Sequence, residues 1–209
     1  MARSDHVKLS PTSYAILGQL AWGEASTYEL TKAMRRNLRY FWPRAEARIY
    51  DEAKRLAAAG LATATRGRTG RRPRTVYAIS ERGRSALRAW LETAPERVSL
   101  EHGPLLRVFL GREGDPEDLR RAIAAARTEA EAMLEVGRPL GEEYLERRHP
   151  QQHEVHLRAL TFDYLYGWAL FTRDWADRAA AEVARWEDTE PDAGKQRRAL
   201  ARIRDRLRS

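Results

Sequence analysis

The chain has 209 residues, carries 38 Lys and Arg against 30 Asp and Glu for a net charge of +8, and contains no cysteine. That length can bury a real core as one large domain or two small ones. The missing cysteine excludes disulfides and thiolate metal sites and fits a reducing, cytoplasmic setting. The N-terminus lacks the apolar run of a secretory signal. The most apolar stretch, residues 159–172, is interrupted by Asp163. It is shorter than the roughly 20 apolar residues of a membrane span.

Charge divides the chain into three. Residues 1–95 hold 18 Lys and Arg against 8 Asp and Glu, residues 96–187 hold 13 against 18, and residues 188–209 hold 7 against 4. A basic module followed by an acidic one predicts that only the first meets a polyanion.

The first helix opens at Ser10-Pro11, a cap residue followed by proline at the first helical position, and ends near Gly23. A capping box, Ser26 with Glu29 three residues on, starts the second, which continues through Leu30, Ala33, Met34 and Leu38. The third is predicted from about Pro43 to Ala59, with Gly60 as its stop. At 100° per residue its apolar side is Ala45, Ile49, Ala53 and Leu56, flanked by Tyr50 and Lys54. Arg44, Arg48, Asp51 and Arg55 form the opposite stripe. Its first turn is where a helix-turn-helix recognition helix meets base edges.

After Gly60 the period falls to two. Runs 61–66 and 75–80, rich in Thr, Val, Tyr and Ile, read as the strands of a hairpin. The predicted loop between them holds Arg66, Arg68, Arg71, Arg72 and Arg74 among Gly67, Gly70 and Pro73. Ser80 caps a fourth helix with Ala86, Leu87, Trp90 and Leu91 on one face. Three helices, a hairpin and a helix make a winged helix whose wing tip is the arginine loop.

The residues of this module resemble the PadR family of transcriptional regulators over about 9–93. The resemblance is carried by YAILG, by Ile49-Tyr50 with Arg55-Leu56 and Gly60-Leu61, and by the Val76-Tyr77-Ala78-Ile79 end of the wing. It implies a DNA-binding winged helix, a homodimer made by C-terminal helices, and response to small ligands.

Downstream, Asp115-Pro116-Glu117-Asp118 starts a long amphipathic helix with Leu119, Ile123, Ala126, Ala130, Met133 and Gly137 on one face, ending around Arg148. A second long helix is predicted from about 151 to 187. Its inner stripe is Val155, Ala159, Phe162, Tyr166, Ala169 and Leu170, while Leu160, Leu165, Trp168 and Phe171 leave it apolar almost all round. Such a helix needs cover on every side, which a second copy of the chain supplies. Residues 188–209 read as a linker and a basic amphipathic helix bearing Leu200, Ile203 and Leu207.

His149, His153 and His156 cluster around Glu154, but HEVH lacks the four-residue spacing of HExxH and no further ligand is evident, so no metal is expected. Neither a P-loop nor a nucleophile–base pairing is visible, and no enzymatic activity or cofactor is expected. The expected fold is mainly α: a winged helix (1–95), a helical dimerisation module (96–187) and a tail (188–209). The expected function is a homodimeric regulator on an inverted-repeat operator in double-stranded DNA, a repressor released by a hydrophobic or aromatic effector. Arg44 and Arg48 would read bases, with Tyr50, Lys54, Arg55, Arg68, Arg71, Arg72, Arg74 and Tyr77 completing the contacts. Trp42, Tyr164, Trp168 and Trp175 are the effector candidates. A sequence-independent architectural DNA binder, and a winged helix used for protein contacts, stay open as alternatives.

Overall fold

The first helix, α1 (Pro11–Trp22), is nucleated as its sequence requires. Ser10 Oγ accepts from the Ser13 backbone and Ser13 Oγ accepts from the Ser10 backbone, with Pro11 at the first position. In this computed structural model residues 8–42, 49–69 and 72–208 are described. The chain divides after Val98 into two compact units, each taken by itself below.

In the first unit, β1 (Ala25–Ser26) leads into α2 (Thr27–Leu38) through the Ser26–Glu29 capping box. Helix α3 is described over Ile49–Ala58. Residues 43–48 of the predicted third helix, with Arg44 and Arg48, lie outside the described residues. The stop at Gly60 is a Schellman motif: Gly60 N–H donates to Ala57 C=O at 3.0 Å and Leu61 N–H to Leu56 C=O at 2.9 Å. Gly60 sits at φ +70°, a left-handed conformation that favours glycine. Strands β2 (Ala62–Thr69) and β3 (Arg72–Ile79) pair antiparallel from Ala62–Ile79 out to Thr69–Arg72. The predicted arginine loop is therefore mostly strand, because the ladder continues past the β-favouring residues once it is in register. Strand β1 adds to the other edge of β3, Ala25 opposite Tyr77; two residues are too short to leave a periodic signal.

Helix α4 (Glu81–Leu91) starts at Ser80, whose hydroxyl accepts from Gly83 N–H at 3.0 Å and donates to Gly60 C=O at 2.8 Å. It lies on α1, where Trp90 stacks on Tyr14 with ring centroids 4.6 Å apart. The core of this unit comprises Ile16, Leu17 and Leu20 of α1, Leu30 and Met34 of α2, Ile49, Ala53 and Leu56 of α3, and Leu61, Ala62 and Tyr77 of the sheet side.

The second unit contains α5 (Gly103–Phe109), which the sequence reading did not anticipate, and then α6 (Pro116–Leu145), α7 (Val155–Val183) and α8 (Ala193–Arg208). Helices α6 and α7 form a hairpin whose core is Leu119 and Ile123 against Ala176 and Val183. The inner stripe of α7 is shifted from the expected one. Ala159 is exposed and the buried positions are Ala169, Thr172, Ala176, Glu182 and Val183, because the helices close most tightly at the end where α6 begins. Towards the turn, α6 carries Gly137, Pro139 and Gly141. A Cβ at Gly137 would lie 2.8 Å from the Tyr166 ring, and one at Gly141 3.2 Å from the Phe162 ring, so both glycines make room for the Phe162–Tyr166 stack. The tail helix is attached to α7 within the same chain by ion pairs to Glu182.

Candidate nucleic-acid interface

The N-terminal unit brings α3 and the β2–β3 wing into one small domain. On α3, Ile49, Ala53 and Leu56 are buried, which turns Tyr50, Asp51 and Lys54 outward. Tyr50 is 58% exposed, and the Lys54 ammonium sits 4.1 Å from the centre of its ring. This cation–π pair leaves both the charge and the phenol hydroxyl at the surface.

Arg55 occupies a different environment. Its guanidinium grips Glu52 in two bonds, Nε to Oε2 at 2.9 Å and Nη2 to Oε1 at 2.6 Å, and donates to Ser13 Oγ at 3.1 Å and Lys8 C=O at 3.2 Å. These bonds to Glu52 raise its pKa further. The side chain thus bridges α3 to α1 while remaining 39% exposed. Tyr77 is only 3% exposed and belongs to the core, because β3 alternates and its inward residues are Tyr77 and, two further on, Ile79.

The register separates the wing arginines. Arg66 is opposite Thr75, and Gly67 is opposite Arg74, so Arg66 and Arg74 belong to opposite faces of the ladder. Arg66 is exposed. Arg74 donates from Nη2 to Glu29 Oε2 at 2.5 Å, tying β3 to the start of α2. The backbone and then the hydroxyl of Ser26, and after them Arg74, hold the Glu29 carboxyl below its ordinary pKa. Arg68 is opposite Pro73 and Arg72 opposite Thr69 in the ladder, while Arg71 lies outside the described residues. Arg66, left out of the expected contact set, is exposed on the ladder; its even spacing with Arg68 in the sequence was the signal.

Residues 16–89 match the model of the transcriptional regulator PadR-like family, and residues 104–184 match the virulence activator alpha C-terminal model. The chain belongs to the PadR-like family of transcriptional regulators. Over 92 residues, 42% of the chain, it is 34% identical to the negative transcriptional regulator PadR of Bacillus subtilis; that stretch spans half of the relative's length. Among solved structures it is similar to smu.1604c of Streptococcus mutans, with a TM-score of 0.70 and 23% identity over 83% of this chain and 99% of that one. It is also similar to Bacillus subtilis PadR in complex with operator DNA, with a TM-score of 0.68 and 21% identity over 82% of this chain and 98% of that one. The same Bacillus protein has a structure with p-coumaric acid.

Of the residues expected to hold an effector in this PadR-like chain, Trp42 belongs to the first unit and Tyr164, Trp168 and Trp175 to α7 of the second. Trp42, in the first unit, is half-buried against the core with its indole N–H buried and without an acceptor among the described residues. In the second unit Trp175 packs on the α6–α7 core, Trp168 lies beside Phe171 with centroids 6.3 Å apart, and Tyr164 is 67% exposed. His149 is buried, stacked on Tyr144, with Nδ1 accepting from Gln151 N–H at 3.1 Å, so it shapes the α6–α7 turn. Among the described residues no group of histidines and carboxylates is placed to hold a metal, and no helix is long and apolar enough to cross a membrane.

Proposed function

We propose that this chain is a homodimeric repressor that binds operator DNA through α3 and the wing and is released by a small aromatic or hydrophobic ligand. The observation that carries this reading is the winged helix itself. It buries the apolar side of α3 and leaves Tyr50, Lys54 and Arg66 facing outward from a module with ten excess positive charges. Arg44 and Arg48, which precede Ile49 in the sequence, would read bases in the major groove, each bidentate arginine–guanine contact contributing ~1–3 kcal/mol of discrimination. Arg66, Arg68, Arg71 and Arg72 would neutralise phosphates from the wing. The solved complex of Bacillus subtilis PadR with operator DNA supports this assignment by similarity.

The surface of α7 supports the dimer. Leu157, Leu160, Tyr164 and Phe171 are 57%, 72%, 67% and 51% exposed and recur at steps of three, four and seven, so they share one stripe. A second copy of α7 would cover that stripe as coiled-coil helices do, placing two recognition helices about 34 Å apart for an inverted repeat. Trp42, Tyr164, Trp168 and Trp175 are the aromatic groups available to a ligand, in keeping with the p-coumaric acid complex of the Bacillus protein.

The test is binding of the full chain to promoter fragments bearing inverted repeats and to random duplex, with and without a series of phenolic acids. Specific binding ~10³ tighter than random, weakened by one of the acids, is the expected result. A ratio near one would instead identify a sequence-independent architectural protein, and absence of DNA binding would leave a winged helix used for protein contacts.

A further inference from the structure

Two kinds of contact hold α3 against α1. Ile49, Ala53 and Leu56 meet the core as apolar surface, which is non-directional: it fixes how deeply α3 sits and only weakly how it is turned. The second contact is directional. Glu52, whose side chain is 13% exposed, accepts from Ser13 Oγ and takes both bonds from Arg55. Ser13, completely buried at the third position of α1, has no hydrogen-bonding capacity left over. Its hydroxyl donates to Glu52 and accepts from the Ser10 backbone at 2.8 Å and from Arg55 at 3.1 Å. Arg55 adds a bond to Lys8 C=O. The knot thus links α3 to the capped first turn of α1 and to the chain just before it, 39 to 47 residues away in sequence.

We propose that Glu52 is a positioning residue for sequence reading, setting the rotation of α3 about its own axis. The inference rests on the DNA-binding reading above. At a side-chain radius of roughly 6 Å, turning a helix by about 20° displaces a side-chain tip by about 2 Å. That is several times the roughly 0.5 Å spread of hydrogen-bond lengths, so base contacts are lost while charge stays at the same surface. A half-buried carboxylate holding three directional bonds resists rotation, because breaking them weakens a partly desolvated ion pair and its hydrogen bonds together. Apolar packing resists rotation too, but it does not single out one register as directional bonds do. Glu52 therefore governs discrimination between sequences and leaves the electrostatic attraction to phosphate unaltered.

The experiment uses the full chain and two probes: duplexes enriched by the wild-type protein from a random-sequence library, and unselected random duplex. Glu52→Gln keeps the shape but presents an amide N–H₂ to Arg55. It is expected to bind the enriched duplex about tenfold or more weaker, to bind random duplex unchanged, and to show the wild-type salt slope. Ser13→Ala, which removes one oxygen, is expected to shift the specificity ratio in the same direction by less. Circular dichroism and thermal melts accompany both. An unchanged ratio in Glu52→Gln, or equal losses on both probes, overturns the inference. If Glu52→Gln fails to fold, an unchanged ratio in Ser13→Ala overturns it. A wild-type protein that enriches no sequence removes the DNA-reading function itself, and this inference with it.

Discussion

Arg66 and Arg74 lie in the same hairpin with the same charge, yet the structure gives them different work. Arg66 is exposed on one face of the ladder, whereas Arg74, on the other, is paired with Glu29 at 2.5 Å. Each phosphate neutralised contributes about −0.9 to the slope of log affinity against log salt. Arg66→Ala removes one such cation per protomer and two per dimer, so the slope should flatten by about 1.8. Between 50 and 200 mM salt that amounts to about a tenfold smaller loss of affinity than the wild type suffers. Arg74→Ala should leave the slope almost unchanged, since its charge is already countered by Glu29. It should instead lower stability by ~0.2–1 kcal/mol, the range of a solvent-exposed pair. Fluorescence anisotropy on a labelled duplex at four or five salt concentrations, with a urea melt of each variant, measures both quantities. Equal changes of slope for the two variants, or none for Arg66→Ala, would refute the division of roles drawn from the register.

The other expectations concern stability and assembly. A Cβ at Gly83 would lie 2.0 Å from Leu61 C=O, a backbone atom that cannot give way, so Gly83→Ala should destabilise the first unit by ~1–3 kcal/mol, read as a drop in Tm. A variant with wild-type Tm would show that the start of α4 is free to move. Glu182 is buried and accepts from Trp186 at 3.1 Å, Arg198 at 2.9 Å and Arg202 at 3.0 Å. Since α8 has no buried residue of its own, Glu182→Gln should speed amide exchange in α8 about tenfold, as expected for losing ~1–2 kcal/mol of partly exposed ion pairs. Burial pushes the Glu182 carboxyl up, but hydrogen bonds from Arg198 and Trp186 and the charges of Arg202 and Arg198 outweigh it, so its pKa is lowered. The attachment is therefore complete above the ordinary carboxylate range and lost as pH falls through that lowered value; protection in α8, relative to the intrinsic exchange rate, that does not fall on acidification through the carboxylate range would contradict it. Finally, Leu160→Glu in the exposed stripe of α7 should halve the mass seen by light scattering and weaken operator binding, and a variant that stays dimeric would place the interface elsewhere.

Much of the fold could be read from the sequence because its boundaries are local chemistry. Ser10-Pro11, Ser26 with Glu29, Gly60, Ser80 and Asp115-Pro116 each form the cap or stop that their side chains favour. Less legible was whatever depends on partners distant in the chain. Strand β1 exists only because β3 offers an edge, and the wing strands run past residue 66 because pairing, once begun, overrides the weak β preference of Arg and Gly. For the site, helical spacing set Tyr50 and Lys54 only on a flank of the apolar side, where the structure exposes them, and could not see that Arg55 has Glu52 and Ser13 within reach. The alternation of β3, counted from Ile79, puts Tyr77 on the core side.

The glycines and proline near the end of α6 carry a consequence for motion. Gly costs about 1 kcal/mol and Pro about 3 kcal/mol in a helix interior relative to alanine, and Gly137, Pro139 and Gly141 concentrate these costs within little more than one turn. The opposite end of the hairpin has Leu119, Ile123, Ala176 and Val183 closed on one another. The hairpin is thus stiff where it begins and compliant where it turns, a lever with its fulcrum near the Phe162–Tyr166 stack. Amide exchange should accordingly be faster around Tyr144 and His149 than around Leu119, Ile123, Ala176 and Val183.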